Sequence, residues 1–302
     1  MTVTKMKTYV LYNELSANGR GLEGVERLKK FLVGKDVTFA DITKIKDYAA
    51  CVKTLKKDDE VIIVGGDGTL NHFVNDIADI KVKNKVYYYA SGSGNDFWRD
   101  LGLTAEDGPV CINEYITDLP VVTVKRKTHR FLNGIGYGID GYCCEEGDRL
   151  RTKGKQDINY TAIAIKGLLF HYKPVNAKVT VDGKSYEFKK VWLAPTMNGR
   201  FYGGGMMTAP KQRRTGEGKK LTLVVMYGSD KIKTLAVFPS IFKGEHINHT
   251  EMIEVLEGNE IKVEFDKPTA LQIDGETVLG VKEYEAMLVK APAKKKAFAF
   301  KQ

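Results

Sequence analysis

The chain has 302 residues, 43% hydrophobic and 28% charged with eight prolines, a composition that excludes a disordered or fibrous protein and predicts one large or two medium domains around a real core. Its formal charge is +9, from 47 Lys and Arg against 38 Asp and Glu. No stretch approaches the ~20 apolar residues that span a bilayer; the best, Thr161 to Phe170, is broken by Lys166.

The basic excess gathers in patches: Lys125, Arg126, Lys127 and Arg130, then Lys211, Arg213, Arg214, Lys219 and Lys220, then the Lys294 to Lys296 run. Such patches suit nucleic acid, anionic lipid headgroups or polyphosphates, and equally a merely solvated face. The start, MTVTKMK, lacks the apolar run of a signal peptide, so a cytosolic protein is expected. Cys51, Cys111, Cys143 and Cys144 show no C-x-x-C spacing and read as reduced structural thiols. His246 and His249 have no third ligand nearby, which argues against zinc.

In chain order, Thr8 to Tyr12 reads as a strand, Asn13 to Gly21 as a small-residue loop, and the segment with Val25, Leu28, Phe31 and Leu32 on one face as a helix. The order repeats: strand Val37 to Ala40, helix Ile45 to Leu55, strand Val61 to Val64, helix Thr69 to Ile80, strand Lys85 to Ala90. Alternation of this kind predicts right-handed crossovers and a parallel sheet, with ligands bound beyond the carboxyl ends of the strands. Three loops emerge there, Asn13 to Gly21, Gly65 to Asn71 and Ser91 to Asp96, each rich in Gly, Ser, Asn or Asp. Glycines let a backbone approach phosphate closely, and amides at a helix start supply donors.

Five Asp-Gly pairs occur, at Asp67, Asp107, Asp140, Asp182 and Asp274. An ordinary turn is the default for each, but Asp67 lies between a strand and a helix. There is no G-x-x-x-x-G-K-[ST]. A G-x-G-x-x-G does occur at Gly136, Gly138 and Gly141, but YCCEEGD after it does not read as a helix, and it lies outside the β-α-β region.

After Asp118 to Pro120 the chain turns β-rich: Val121 to Lys125, Arg130 to Gly134, Lys178 to Val181, Tyr186 to Pro195, Leu221 to Met226, Ile261 to Phe265, Ala270 to Ile273 and Tyr284 to Val289. One amphipathic helix, Ile158 to Tyr172, interrupts them. Many short strands predict a sandwich or barrel, hence an α/β domain over residues 1–120 and a β domain over 121–302.

VGGDGTLN at 64–71, SGSGNDF at 91–97 and QIDGE at 272–276, taken together, resemble the diacylglycerol kinase catalytic family, which includes bacterial lipid kinases and, more distantly, sphingosine and ceramide kinases. GGDGT alone is shared with NAD kinases and phosphofructokinases. The resemblance implies an α/β domain with a mainly parallel sheet, NAD kinase/phosphofructokinase-like, and a C-terminal antiparallel β-sandwich, with the active site in the cleft between them. It implies ATP and Mg²⁺ as cofactors and transfer of the γ-phosphate to a lipid alcohol, foremost diacylglycerol to give phosphatidic acid. It also implies reversible peripheral docking of a cytoplasmic protein on an anionic bilayer, with no nucleic-acid partner; a homodimer is compatible with it.

For the nucleotide the implied residues are Asn13, Gly65, Gly66, Asp67, Gly68, Thr69, Asn71, Ser93, Gly94, Asn95 and Asp96. Asp67 and Asp96 are the implied Mg²⁺ ligands, and Glu217 the counterpart of a structural-metal aspartate that follows the glycine-rich Phe201 to Pro210 segment. Asp274 and Glu276, two apart and so on one side of an extended strand, are the implied catalytic carboxylates, with Glu276 as base and Asp67 as the alternative. Phe97, Trp98, Phe201, Tyr202, Met206 and Met207 are candidates for an acyl passage. The chain departs from the family pattern at Glu14, where the family has Pro, at His72, where it often has Glu, and at Glu217. The shared GGDG keeps an NAD kinase-like soluble-substrate kinase as a rival, against which SGSGNDF and QIDGE argue, and the three departures leave open a catalytically silent nucleotide- or lipid-binding regulator.

Overall fold

The computed structural model describes residues 6–45, 48–155 and 158–289. The Lys294 to Lys296 run and residues 1–5 lie outside them. Strands β1 (Lys7–Tyr12), β2 (Asp36–Asp41), β3 (Glu60–Gly65) and β4 (Lys85–Ala90) form a parallel sheet in the order β2-β1-β3-β4, and β5 (Val110–Cys111) adds antiparallel to its edge. The central run EVIIVG of β3 is buried at every position, because helices cover both faces of such a sheet and leave no polar side to alternate with.

The helices of this half are α1 (Ser16–Gly19), α2 (Gly21–Leu28), α3 (Tyr48–Lys53), α4 (Asp67–Asp76), α5 (Asp96–Asp100) and α6 (Asn113–Ile116). The helix expected over Ile45 to Leu55 is shorter, preceded by a 3₁₀ turn at Ile42–Lys44 whose first amides are capped by Asp41, which accepts from Thr43 N at 3.0 Å. Helix α4 begins at Asp67, two residues before the expected Thr69, because extended Gly66 serves as its N-cap.

The second half holds ten strands of one antiparallel network: β6 (Val121–Val124), β7 (Lys127–Arg130), β8 (Gly134–Tyr137), β9 (Val175–Val181), β10 (Lys184–Val191), β11 (Thr196–Met197), then, past a separate ribbon of β12 (Phe201–Tyr202) and β13 (Met206–Met207), β14 (Leu221–Met226), β15 (Ile253–Gly258), β16 (Glu260–Ile273) and β17 (Glu276–Met287). Three helices lie against it: α7 (Ile139–Thr152), α8 (Tyr160–Lys166) and α9 (Lys231–Val237). An α/β domain with a mainly parallel sheet is thus followed by an antiparallel β domain, as expected. No helix among the described residues is long and apolar enough to cross a membrane.

Four local expectations are corrected. Arg130 to Gly134 is not a strand: β7 ends at Arg130 and β8 starts at Gly134, and the amides of Leu132 and Asn133 between them bond to the Asp274 carboxylate in place of a ladder. The two strands expected at Ile261 to Phe265 and Ala270 to Ile273 are one, β16, whose register shifts between Glu264 and Thr269. Its first part pairs with β9 and its last with β8, so the bend around Pro268 turns one strand through two partners. YCCEEGD, expected to be non-helical, lies inside α7. Packing overrides propensity there: a Cβ on Gly141 would lie 1.8 Å from the Ala270 carbonyl oxygen, so the glycine lets α7 press onto β16. Gly136 makes a similar close approach to β16, where a Cβ would lie 2.6 Å from Gln272 Nε2, whereas Gly138 makes room for the Trp192 carbonyl oxygen, 2.6 Å from where its Cβ would stand. The helix expected over Ile158 to Tyr172 is α8 followed by a π turn at Gly167–His171.

Candidate active site

Strand β3 delivers Gly65 and Gly66 to the sheet rim, and β4 delivers Ser91 and Gly92 beside them, with Ser91 N bonded to Gly65 O at 2.8 Å. The two loops touch backbone to backbone. A Cβ on Gly92 would lie 2.5 Å from Gly66 Cα, so this pair of glycines is required for loop–loop packing as well as for any phosphate. Asn95, in the left-handed region at φ 54°, folds its side chain back on its own loop: Gly92 N donates to Oδ1 at 3.0 Å and Nδ2 donates to Gly92 O at 2.8 Å. It braces the loop, and Ser93 and Gly94 wall the cavity. Asn13 completes the rim, with Nδ2 3.4 Å from Thr69 Oγ1, while Glu14 turns aside to Lys44.

Asp67 opens α4, yet its carboxylate reaches over to α5: Asp96 N donates to Oδ2 at 2.8 Å, Phe97 N to Oδ1 at 2.9 Å, and Asn133 Nδ2 to Oδ1 at 3.3 Å. Asp96 is buried, accepts from Gly204 N at 2.8 Å through Oδ2, and has no partner for Oδ1. Burial, then the neighbouring Asp67 charge, push its carboxyl up to about 7. Tethered by backbone donors on opposite sides, the two acids cannot turn away from each other.

Asp274 and Glu276 do not share an extended strand. Asp274 (φ 47°) and Gly275 (φ 96°) form the two-residue turn between β16 and β17, a geometry for which Asp-Gly is suited. The Asp274 carboxylate points inward and accepts from Asn71 Nδ2 at 2.6 Å and from the amides of Leu132, Asn133 and Gly134 at 2.5, 2.8 and 3.0 Å. It therefore ties α4 to the β6–β8 region. Asn71, expected near nucleotide, is one end of that tie. Glu276 stands at the surface with 62% of its side chain exposed, its Oε1 3.5 Å from His72 Nε2.

A second tie went unrecognised in sequence. Arg214, counted above in a basic patch, is buried, and its guanidinium bonds the Asp100 carboxylate, Leu132 O at 2.6 Å and Asn133 Oδ1 at 2.5 Å. Arg200 joins it at Asp100, 2.6 Å away. A charged residue inside a run of basic residues looks like surface, and its partner lies 114 positions away.

These ties wall one cavity of about 500 Å³. Gly66, Gly68, Thr69, Ser93 and Gly94 of the α/β half line it, together with Cys143, Ala164, Met206, Phe238 and Phe242 of the β half. Asp140, read above as a turn residue, sits in the first turn of α7 on this wall, accepts from Tyr202 Oη at 2.6 Å and is pushed by burial up to about 7. Of the expected acyl-passage residues, Tyr202 and Met206 line the cavity; Phe97 and Trp98 pack in the α/β core against Tyr88. Glu217 is exposed and outside the cavity wall, and among the described residues no three His, Cys, Asp or Glu side chains gather for a metal.

Residues 7–121 match the diacylglycerol kinase catalytic domain, and residues 133–287 match the YegS C-terminal NAD kinase beta sandwich-like domain. A diacylglycerol kinase of Mycobacterium tuberculosis is 24% identical over 258 residues, 82% of this chain and 81% of that one. A diacylglycerol kinase of Bacillus subtilis is 25% identical over 235 residues, 76% and 75% of the two chains. A solved protein assigned to the diacylglycerol kinases, from Bacillus anthracis str. Sterne, superposes with a TM-score of 0.68 at 19% identity, covering 95% of this chain and 94% of its own, which shows a shared fold. With both domains matched in this order over a cleft walled by the two glycine loops, the chain belongs to the diacylglycerol kinase catalytic family of lipid kinases.

Proposed function

We propose that the chain transfers the γ-phosphate of ATP to the hydroxyl of a lipid alcohol, diacylglycerol foremost. The observation that carries this reading is one cavity lined both by the glycine-rich loops of the α/β half and by apolar side chains of the β half. A nucleotide phosphate chain suits the first: α4 presents its opening amides there, Gly66 offers them no side-chain cap, and Gly68 has open space above it. An acyl-glycerol suits the second, among Ala164, Met206, Phe238 and Phe242.

A divalent cation fits the rim. Asp96 carries a buried oxygen without a partner, and its raised carboxyl loses its proton most readily to a cation beside Asp67. Two carboxylates and phosphate oxygens are an all-oxygen donor set of the kind Mg²⁺ takes; when bound, the ion neutralises phosphate charge. The chain's own residues hold the two carboxylates in place, through the amides of Asp96 and Phe97 on Asp67 and of Gly204 on Asp96, and aim the phosphate loops.

The acceptor is proposed to enter from an anionic membrane surface. Exposed Ile165, Leu169 and Phe170 follow cavity-lining Ala164 along the chain, Lys231 beside exposed Ile232 donates to Leu169 O at 3.0 Å, and Phe242 lines the cavity; each Lys near an anionic bilayer contributes about 1 kcal/mol.

Labelled ATP offered with diacylglycerol, a sphingoid base, phosphatidylglycerol and NAD tests the reading. Label in phosphatidic acid is expected, and Asp67→Asn is expected to cut its formation by ~100-fold or more. Label in NADP alone, or in nothing, overturns it.

A further inference from the structure

We propose that His72 takes the proton of the acceptor hydroxyl and that Glu276 positions it, so that the base of this cleft is an imidazole backed by a carboxylate. The assignment rests on the lipid kinase reading of the same cavity. His72 and Gly68 are four apart on α4 and therefore lie one above the other on one face, and both wall the cavity. Glu276 does not wall it; it lies behind His72, with Oε1 3.5 Å from Nε2.

The two side chains are held together by the tie already described. Asn71, next to His72, donates to Asp274 at 2.6 Å, and Glu276 closes the hairpin that Asp274 begins, paired with Ile273. The helix bearing the imidazole and the strand bearing the carboxylate thus meet at fixed register. A carboxylate that accepts from Nε2–H keeps the proton on that nitrogen, so Nδ1 carries the lone pair that accepts the new one.

The surrounding charges agree with the role. Glu276 from β17 and Asp76 from α4 raise the His72 proton affinity above its ordinary value, Glu276 first, against partial burial. Arg151 of α7 faces Glu276, whose carboxyl His72 holds below its usual range, and Asp148 of α7 is bonded to Thr277 at 2.6 Å. A base whose affinity is closer to neutrality accepts a hydroxyl proton more effectively than an ordinary carboxylate. In the step, the acceptor O–H bond breaks and an Nδ1–H bond forms while the acceptor oxygen bonds phosphorus and the bond from phosphorus to the ADP oxygen breaks. The imidazolium, stabilised by Glu276, then releases its proton to water.

The test is the pH profile of kcat at saturating ATP and diacylglycerol for the wild type, His72→Gln and Glu276→Gln, with an NMR titration of the His72 ring. The wild type is expected to lose rate at low pH with a histidine-like midpoint. Glu276→Gln is expected to move that midpoint down, in kinetics and in NMR alike, because Glu276 is the first cause of the raised His72 proton affinity. His72→Gln is expected to abolish the acid limb and lower kcat by ~100-fold while the KM for ATP holds. An active lipid kinase whose His72→Gln variant keeps the wild-type limb and kcat, or whose ring midpoint ignores Glu276→Gln, overturns the inference alone. A wild type that phosphorylates no lipid overturns the reading beneath it and the inference together.

Discussion

Replacing Asp274 with Ala removes the acceptor for four donors at once, Asn71 Nδ2 and the amides of Leu132, Asn133 and Gly134. Each bond to a charged acceptor is worth about 1.5–3 kcal/mol net. The four do not simply add, because burial of the carboxylate itself opposes them and raises its proton affinity. Deleting one side of a buried charged cluster costs about 3–5 kcal/mol, and a protein of this size loses roughly 2–4 °C of Tm per kcal/mol. Thermal unfolding by circular dichroism should therefore fall on the order of 10 °C below wild type, with lipid phosphorylation lost in parallel, since the same tie sets α4 against the hairpin. A variant that melts within about 2 °C of wild type yet has no turnover refutes the tie and returns Asp274 to the chemistry.

Gly92→Ala places a Cβ 2.5 Å from Gly66 Cα and should cost about 1–3 kcal/mol in urea unfolding; Gly68→Ala, whose Cβ meets nothing within 4 Å, should cost nothing. Asp96 has a folded-state carboxyl raised to about 7, so the folded state holds the proton more tightly than the unfolded one, and this contribution to stability is present at low pH and lost as pH rises through 7. Without divalent ions, Asp96→Asn should therefore melt above wild type at pH 8 and approach it near pH 4, while Mg²⁺, added to saturation, should raise the Tm of wild type only. Arg214→Lys keeps the charge but loses the three-way fork to Asp100, Leu132 and Asn133, and urea unfolding should report a loss of about 2–4 kcal/mol.

The α/β half was legible in sequence because its signals are local. Four apolar runs, three of them ending in a glycine- or asparagine-rich loop, carry strand, turn and helix start within a dozen residues, and β4 falls where the pattern places it. The other half was legible only in class. Pro268 reads as a break, yet β16 continues through it by shifting register; YCCEEGD has no helical signal, and Gly141 against Ala270 supplies one from the far end of the chain. In the cleft, the glycine loops and the two rim aspartates announced themselves by motif. Asn133, Arg214 and the inward turn of Asp274 did not, because each takes its meaning from partners more than 60 positions away.

The long reach of those ties bears on how the enzyme comes into being. Asp96 meets Gly204 across 108 positions, Asp100 meets Arg214 across 114, and Asn71 meets Asp274 across 203. Separations of this size slow folding, since loop closure must precede the contacts that reward it. During synthesis the α/β half emerges first and can collapse on its own sheet, but Asp96 and Asp100 wait for Gly204, Arg200 and Arg214, and Asn71 finds Asp274 only once the β16–β17 hairpin has been made. The nucleotide rim is born early and becomes a working cleft only when the last strands close it.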